Sequence, residues 1–341
     1  MKKRFIVFLS LILALIISVS GCSCVSEQPL SFTNAFAGEN SGSDPVAGYK
    51  ETLKYSVTYT DKYETDFAKS SELNGISYSF SDGVYTSILE TVTAVPEGVT
   101  SDILQDLPSD AKTIYKLTTE LNIKAKYENC ISGNSEYSDV VKNEVYFCSY
   151  RLSYAPIYSK TNINYSMLYF DNTGAYVGTL VSERSIVYNK NSYTTTQTTN
   201  GETEQKTYDY TFMTLIDNAQ LLFVLRNVDL ETNKSFSMPT VSHAYGEAKA
   251  LRITKDSETV KPVEINYNGA VMEDMNLKNL SFLINDNVNA GTKQLVSIQK
   301  NKTGPLPGNS LLYSYVEPIM AYGSMLQMGA LVYTLTDIQI S

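Results

Sequence analysis

Residues 121–128, Leu-Asn-Ile-Lys-Ala-Lys-Tyr-Glu, alternate strictly between apolar and polar side chains. Because successive side chains of a β-strand point to opposite faces, this alternation predicts a strand with one buried and one solvated face. The same period of two recurs at residues 55–60 (Tyr-Ser-Val-Thr-Tyr-Thr), 76–81 (Ile-Ser-Tyr-Ser-Phe-Ser) and 208–212. The sequence therefore predicts a mainly β, antiparallel fold.

Turn residues between these runs support the same fold class. The dipeptides Asp82-Gly83, Asn200-Gly201 and Asn268-Gly269 each lie between β-like runs. Such pairs favour two-residue hairpin loops, whose central residues adopt a positive φ. We predict a hairpin at each of them and looser connections at 171–174 and 304–308, so that the strands form a long meander.

Residues 214–228, Thr-Leu-Ile-Asp-Asn-Ala-Gln-Leu-Leu-Phe-Val-Leu-Arg-Asn-Val, break this pattern and predict a helix. Thr214 or Asp217 would cap its N-terminus, and Arg226 lies near the negative end of the helix dipole. Apolar residues nearly encircle this helix, which predicts burial on more than one side. A strongly curved sheet, a half-open β-barrel, provides such a site. A shorter helix is expected at 101–107.

The N-terminus has the organisation of a secretory signal peptide. Three basic residues at positions 2–4 precede an apolar run from 5 to 19, which is short for a membrane span. The run ends in Val19-Ser20-Gly21-Cys22, which resembles the bacterial lipobox. The resemblance implies that the leader is removed and that the thiol of Cys22 takes a diacylglycerol.

The expected organisation follows from this leader. Residues 1–21 would be the signal peptide, and the small, polar residues 22–48 a lipidated flexible tether. Residues 49–341 would form the β-rich domain, whose two halves could meet near 155–163. The expected location is the extracytoplasmic face of the cell membrane.

Composition restricts the classes of partner. The 341 residues are 43% hydrophobic and 18% charged, with a net charge of −9. Loss of the leader lowers Lys and Arg from 27 to 24 against 36 acidic residues, which gives −12. An acidic chain is repelled by nucleic acid and by anionic headgroups. We therefore expect no nucleic-acid partner, and membrane attachment through the diacylglycerol alone.

The other cysteines leave two alternatives open. Cys24 lies in the tether, whereas Cys130 and Cys148 lie in β-like segments. A hairpin with its loop near 132–141 would let these two form a disulfide, and the alternative is two buried thiols.

No motif predicts catalysis, a metal or a cofactor. His243 is the only histidine, so a multi-histidine metal site is excluded, and we expect His243 to be a loop residue. The chain has no Gly-x-Ser-x-Gly, P-loop or dinucleotide-binding motif. Residues 285–291 do not fit a calcium loop and are read as a polar turn. The sequence predicts a protein that is not an enzyme.

The C-terminal half resembles a known group of envelope proteins. Strands are followed by Leu215–Leu222 and Leu225-Arg226, then by further hairpins and the terminal segments 318–320 and 329–335. This order is similar to an uncharacterised envelope β-domain family related to the LolA-type lipoprotein carriers. Where members read Arg-Val-Pro-Val, this chain has Val316-Glu317-Pro318-Ile319.

This resemblance implies a half-open barrel with the helix against its concave face, where the carriers bind acyl chains. Leu222 and Phe223 are expected to line such a cleft. Arg226 would be either a third cleft residue or a helix-end cation. The ligand would then be an acyl chain, a lipid or an envelope protein.

The 26 tyrosines permit another interpretation. On strands they suit cross-strand packing, which is the reading we favour. An exposed tyrosine row would instead stack on sugar rings and make the protein a surface glycan-binding or scaffold module. A hydrolase that uses dispersed carboxylates is the third alternative.

Overall fold

The structure is a computed structural model, and all the residues it describes belong to one compact unit, Ser31–Ser341. The described residues are 48–62, 77–106, 113–128, 135–148, 154–165, 180–199, 201–210, 215–226, 235–241, 246–260, 265–272, 276–284, 293–299, 312–320 and 327–341.

Strands dominate the described part of the chain. They are β1 (Lys50–Thr60), β2 (Ser77–Val92), β3 (Ile114–Glu128), β4 (Ser135–Cys148), β5 (Pro156–Tyr165), β6 (Leu180–Tyr188), β7 (Ser192–Thr199), β8 (Glu202–Asp209), β9 (Ile216–Asp217), β10 (Ser235–Val241), β11 (Ala248–Val260), β12 (Ile265–Tyr267), β13 (Ala270–Met272), β14 (Asn276–Ile284), β15 (Lys293–Gln299), β16 (Leu312–Met320) and β17 (Gln327–Ile340). The helices are α1 (Asp102–Asp106), a 3-10 turn (Asn218–Gln220) and α2 (Leu221–Leu225).

These strands form one large sheet that is antiparallel apart from two short parallel pairings, β9 with β10 and β12 with β17. The main order is β8, β7, β6, β5, β4, β3, β2, β1, β17, β16, β15, β14, β11, β10, β9. The predicted fold class, mainly β and antiparallel, is confirmed.

The sheet curves until its two ends meet, although it is not closed into a barrel. No ladder in the described ranges joins β8 to β9 or β10, yet the backbone N–H of Ala248 in β11 donates to the Tyr193 hydroxyl of β7 at 2.8 Å. Leu215 and Val241 also share a buried cluster with Tyr188 and Tyr193. Contact between such distant strands requires strong curvature.

Bulges supply part of this curvature. The β2–β3 register shifts between Ser81 and Val84, and further shifts occur in the β1–β17, β4–β5 and β16–β17 ladders. A bulge bends its strand and increases the local twist.

The alternation in residues 121–128 has the predicted effect. From Leu121 to Tyr127 every second residue of β3 is buried, and the residues between them are exposed. The buried set includes Leu121, which lies on the sheet face that Leu222 of α2 faces.

Two of the three predicted hairpins are confirmed. β7 and β8 pair up to Thr199 and Glu202, and Gly201 before β8 has a positive φ. β12 and β13 are joined by Asn268-Gly269, both with positive φ.

The prediction at Asp82-Gly83 is wrong, because this dipeptide is a bulge inside β2. A Cβ on Gly83 would lie 2.4 Å from the Val57 carbonyl oxygen, so the position requires glycine for close backbone approach between β2 and β1 rather than for a turn. Asp82 takes the positive φ of the bulge.

The predicted helix at 214–228 is much shorter in the structure. Within the described residues 215–226, Ile216 and Asp217 are extended and pair in parallel with β10, and only the five residues of α2 are α-helical. Asp217 does cap the helical segment, since its side chain accepts from the Ala219 backbone while the Gln220 side chain accepts from the Asp217 backbone. Burial on more than one side is confirmed, because four of the five α2 residues are buried.

Helix α1 confirms the short helix expected at 101–107. It packs near a cluster on the sheet face opposite α2, formed by Ile114, Tyr146, Cys148 and Ile157. β5 covers the suggested boundary near 155–163 and pairs along both edges, so the sheet is continuous there.

Several predictions fall outside the described residues: the leader and tether, Cys22, Cys24, Cys130, Thr214, His243 and the polar turn at 285–291. The Cys130–Cys148 disulfide therefore stays a prediction. The register does not favour it, because buried Cys148 lies opposite Ile114, at the end of the β3–β4 hairpin remote from Glu128. Among the described residues, no helix has the length and apolar character that a bilayer crossing requires.

Candidate functional site

A cavity of about 190 Å³ lies between the helical segment 218–222 and the concave face of the sheet. Leu222 contributes to its wall, as the sequence predicts for a ligand cleft. The lining residues are Tyr85, Thr119, Leu121, Val141, Asn143, Thr161, Ile163, Asn218, Ala219, Leu221, Leu222, Tyr315, Glu317 and Tyr333.

An apolar row and a polar row cross the floor of the cavity on neighbouring strands. Ile163, Val141 and Leu121 lie opposite one another on β5, β4 and β3. Two residues away along each strand, the Asn143 amide donates to Thr119 Oγ1 at 3.0 Å and accepts from Thr161 Oγ1 at 2.8 Å. The floor therefore offers an apolar strip beside a row of satisfied hydrogen-bonding groups.

The opposite wall is formed by tyrosines and one carboxyl group. The ring centroids of Tyr85 and Tyr333 are 5.3 Å apart, as are those of Tyr315 and Tyr333. The Tyr333 hydroxyl donates to Glu317 Oε2 at 2.6 Å. Since these residues come from β2, β16 and β17, only the completed sheet brings them together.

Burial changes the acid–base behaviour of this wall. It raises the pKa of the Glu317 carboxyl above its usual range, and the hydrogen bond from Tyr333 offsets part of that shift. Burial also raises the pKa of Tyr315, and the nearby Glu317 raises it further. The pKa of Tyr85 is raised by burial and lowered in part by its hydrogen bond with Thr119. The phenols of Tyr85 and Tyr315 are therefore neutral hydrogen-bonding groups at physiological pH.

A buried ion pair fixes the helix against β1. The Arg226 guanidinium, which follows α2, donates to both carboxylate oxygens of Glu51 at 2.6 and 2.8 Å. The two side chains are only 3% and 2% exposed. Burial alone would lower the pKa of Arg226. The charge of the Glu51 carboxylate and its hydrogen bonds raise that pKa by more than burial lowers it, so the pKa is raised overall.

Arg226 lies at the C-terminal end of α2, where the sequence predicts a helix-end cation. Arg226 does not line the 190 Å³ cavity. Its guanidinium forms an ion pair with Glu51 rather than an interaction with the carbonyl groups at the helix end. It lines a second cavity of about 20 Å³, which is about the size needed for one water molecule.

Phe223 belongs mainly to the core. It is 4% exposed, and its ring centroid lies 5.3 Å from that of Phe147 and 5.5 Å from that of Tyr154. It lines the 20 Å³ cavity but not the larger one, whereas Leu222 lines both. The two neighbouring residues therefore have different surroundings.

The end of the helical segment remote from Arg226 is held by buried hydrogen bonds. The Tyr188 hydroxyl donates to Asp217 Oδ2 at 2.6 Å, and the Gln220 amide donates to the Tyr154 carbonyl at 2.9 Å. Asp217 and Gln220 are both fully buried. The segment that forms the cavity wall is therefore fixed at both ends.

The tyrosines are packed into the protein wherever the structure describes their side chains. None of those described is exposed, and several form edge-on or tilted pairs on the concave face. This arrangement supplies no exposed row for sugar rings. Within the described ranges, no group of three or more metal-ligating side chains comes together.

Sequence reasoning missed Tyr85, Asn143, Glu317 and Tyr333 as site residues. Glu317 could have been identified as a candidate from the sequence, because it is the one charged residue in the otherwise neutral segment 312–320. Asn143 could not have been identified in this way, because it lies between a lysine and a glutamate, a pattern that is typical of a solvent-exposed position.

Comparison with protein-family models and with curated proteins finds no match. Among solved structures, the chain is similar to a β-barrel-like protein of domain of unknown function DUF1849 from Brucella abortus. That similarity has 7% identity and a TM-score of 0.46, and covers 87% of this chain and 99% of the other. Immune modulator A of Aeromonas veronii gives 8% identity and a TM-score of 0.10 over 86% and 94% of the two chains. With both TM-scores below 0.5, neither similarity bears on function.

Proposed function

We propose that this protein is a lipid-anchored, non-enzymatic protein of the extracytoplasmic membrane face, whose cavity holds the apolar part of a small ligand. The observation that carries the proposal is the 190 Å³ cavity between Leu222 and the curved sheet. Ligand sites commonly combine an apolar wall with a few placed polar groups, and this cavity has both.

The cavity volume restricts the size of the ligand. A dry, apolar cavity of about 150 Å³ is enough for a benzene-sized molecule. The cavity of about 190 Å³ therefore suits one ring or a short stretch of acyl chain rather than the whole of a diacyl lipid.

A titration with 1-hexanol tests the proposal on the full chain, solubilised in digitonin because that steroid glycoside is too bulky for the cavity. Saturable binding with one site per chain is expected. Leu222→Trp, which places a larger side chain at the cavity wall, should weaken binding at least about fivefold, whereas Val181→Trp on the exposed surface should not. Absence of saturable binding would contradict the proposal.

The anchoring prediction concerns Cys22. Cys22→Ala removes the thiol that would carry the diacylglycerol, so we expect the protein to stay unprocessed or to leave the membrane fraction. Cys24→Ala is the matched control and should behave like the unaltered chain. Mass spectrometry of the N-terminal peptide is the measurement, and a diacylglycerol mass on the Cys22→Ala protein would disprove this attachment.

A further inference from the structure

The wall of the cavity groups one carboxyl with three aromatic rings. Glu317 lies beside Tyr85, Tyr315 and Tyr333, whose rings all line the cavity. The Tyr85–Tyr333 pair is edge-on, with an interplanar angle of 86°, and the Tyr315–Tyr333 pair is tilted by 42°. The three rings therefore differ in orientation, as the walls of an aromatic cage do.

Among the described residues, no basic side chain lines the cavity beside this carboxyl. The described lining residues include no Lys, Arg or His, and the buried Arg226 is engaged by Glu51. The one ionisable charge of the wall is therefore negative. An anionic ligand headgroup would be repelled there, while a neutral one would leave the carboxylate without a charged partner.

An organic cation fits these groups better than an anionic or a neutral ligand headgroup does. Tyrosine rings attract ammonium groups through the negative faces of their π-systems, and this attraction strengthens when water is excluded. A carboxylate at the same site adds direct charge pairing. We infer that the cavity selects ligands that carry an ammonium group on a short apolar body, with Glu317 and the three tyrosines holding the cation and Leu222 contacting the apolar part.

This inference rests on the proposed function, since it names the ligand class of the same cavity. An acyl-chain site would leave Glu317 unexplained, because it is a carboxyl group among described lining residues that include no basic side chain. An ammonium ligand explains it.

Binding of a cation should depend on pH through Glu317. The titratable groups around it on the described elements are the phenols of Tyr85, Tyr315 and Tyr333, while the helical wall contributes Asn218, Leu221 and Leu222, none of which titrates. Burial raises the pKa of Glu317, so the neutral acid persists to a higher pH than it does for an ordinary carboxyl group. A cation binds the carboxylate form, so its affinity should rise with pH and binding should release a proton.

The experiment compares three probes of equal chain length on the full chain in digitonin: hexyltrimethylammonium, 1-hexanol and hexanoate. We expect hexyltrimethylammonium to bind at least about tenfold more tightly than 1-hexanol, and hexanoate to bind most weakly. The affinity for hexyltrimethylammonium should increase as the pH is raised and Glu317 loses its proton. Because the quaternary ammonium does not titrate, that change reports on the protein.

Glu317→Gln is the diagnostic variant, since it keeps the shape of the side chain and removes its charge. It should reduce the preference for the cation over 1-hexanol to about twofold or less and abolish its pH dependence. Glu183→Gln makes the same charge change at an exposed site paired with Lys160, and should leave the preference intact.

The outcomes separate the two proposals. If 1-hexanol binds but the cation binds no more tightly, or if hexanoate binds best, the ammonium inference is overturned while the cavity function stands. If none of the three probes binds, the cavity function itself fails. A preference that survives Glu317→Gln would also overturn the role given to this residue.

Discussion

Replacing Arg226 with Met is expected to lower the free energy of unfolding by about 3–5 kcal/mol. The substitution leaves the Glu51 carboxylate buried among apolar groups without its bidentate partner. The pair also joins the end of α2 to β1, so its loss removes one of the ties that hold the helical wall over the cavity. Urea unfolding followed by far-UV circular dichroism measures the change.

Two controls distinguish this effect from general loss of packing. The double variant Glu51→Leu/Arg226→Met should recover most of the loss, because no unpaired charge remains, although the Tyr49 hydroxyl loses its acceptor. Lys54 lies on the same strand as Glu51 and pairs with Asp337 of β17, and both side chains are partly exposed. Lys54→Met breaks this pair and should cost less than about 1 kcal/mol. If Arg226→Met lowered the free energy of unfolding no more than Lys54→Met does, the ion pair would not fix the helix.

Adjacent helix residues should respond very differently to truncation. Phe223→Ala removes a ring that packs against Phe147 and Tyr154 and is expected to cost about 3–5 kcal/mol. Leu222→Ala should cost less than about 2 kcal/mol, because part of this side chain already faces a cavity and its removal opens less new space in packed core. Thermal and urea unfolding of the two variants, side by side, provide the comparison.

Equal losses would contradict the account. They would mean that Leu222 is packed as tightly as Phe223 and that the helix only fills a closed core. An effect confined to Phe223 would identify Leu222 as the wall residue suited to contact a ligand.

The sequence predicts the fold well wherever the decisive information is local. The alternation in residues 121–128 and the dipeptide Asn268-Gly269 specify a strand and a turn through neighbouring residues alone, and both are confirmed. Asp217 is a correct N-cap for the same reason, since the capping box spans only the four residues from Asp217 to Gln220.

The failures arise where tertiary contacts override local signals. Asp82-Gly83 has the sequence of a hairpin turn but forms a bulge inside a long strand. Glycine is required there because the Val57 backbone comes so close that a side chain would not fit. The helix at 214–228 is shortened because Ile216 and Asp217 pair with β10, a contact that periodicity cannot show.

The candidate site is less predictable still. Leu222 is anticipated from the apolar character of the helix, but Glu317 and Tyr85 come from strands that meet only through the order of the complete sheet. The partner of Arg226 is 175 residues away in the chain, so no local pattern could identify it. A site assembled from β2, β3, β4, β5, β16 and β17 follows from register, and register is a global property of this sheet.

The most direct test of the account locates a probe inside the protein. Methyl-labelled full chain in digitonin, saturated with 1-hexanol, can be examined for nuclear Overhauser effects between the probe and assigned methyl groups. We predict contacts from the hexanol chain to Leu121, Ile163 and Leu222, which line the cavity together. Contacts confined to the exposed valines Val84 and Val181, or none at all, would contradict the claim that the space between the helix and the curved sheet is a ligand site.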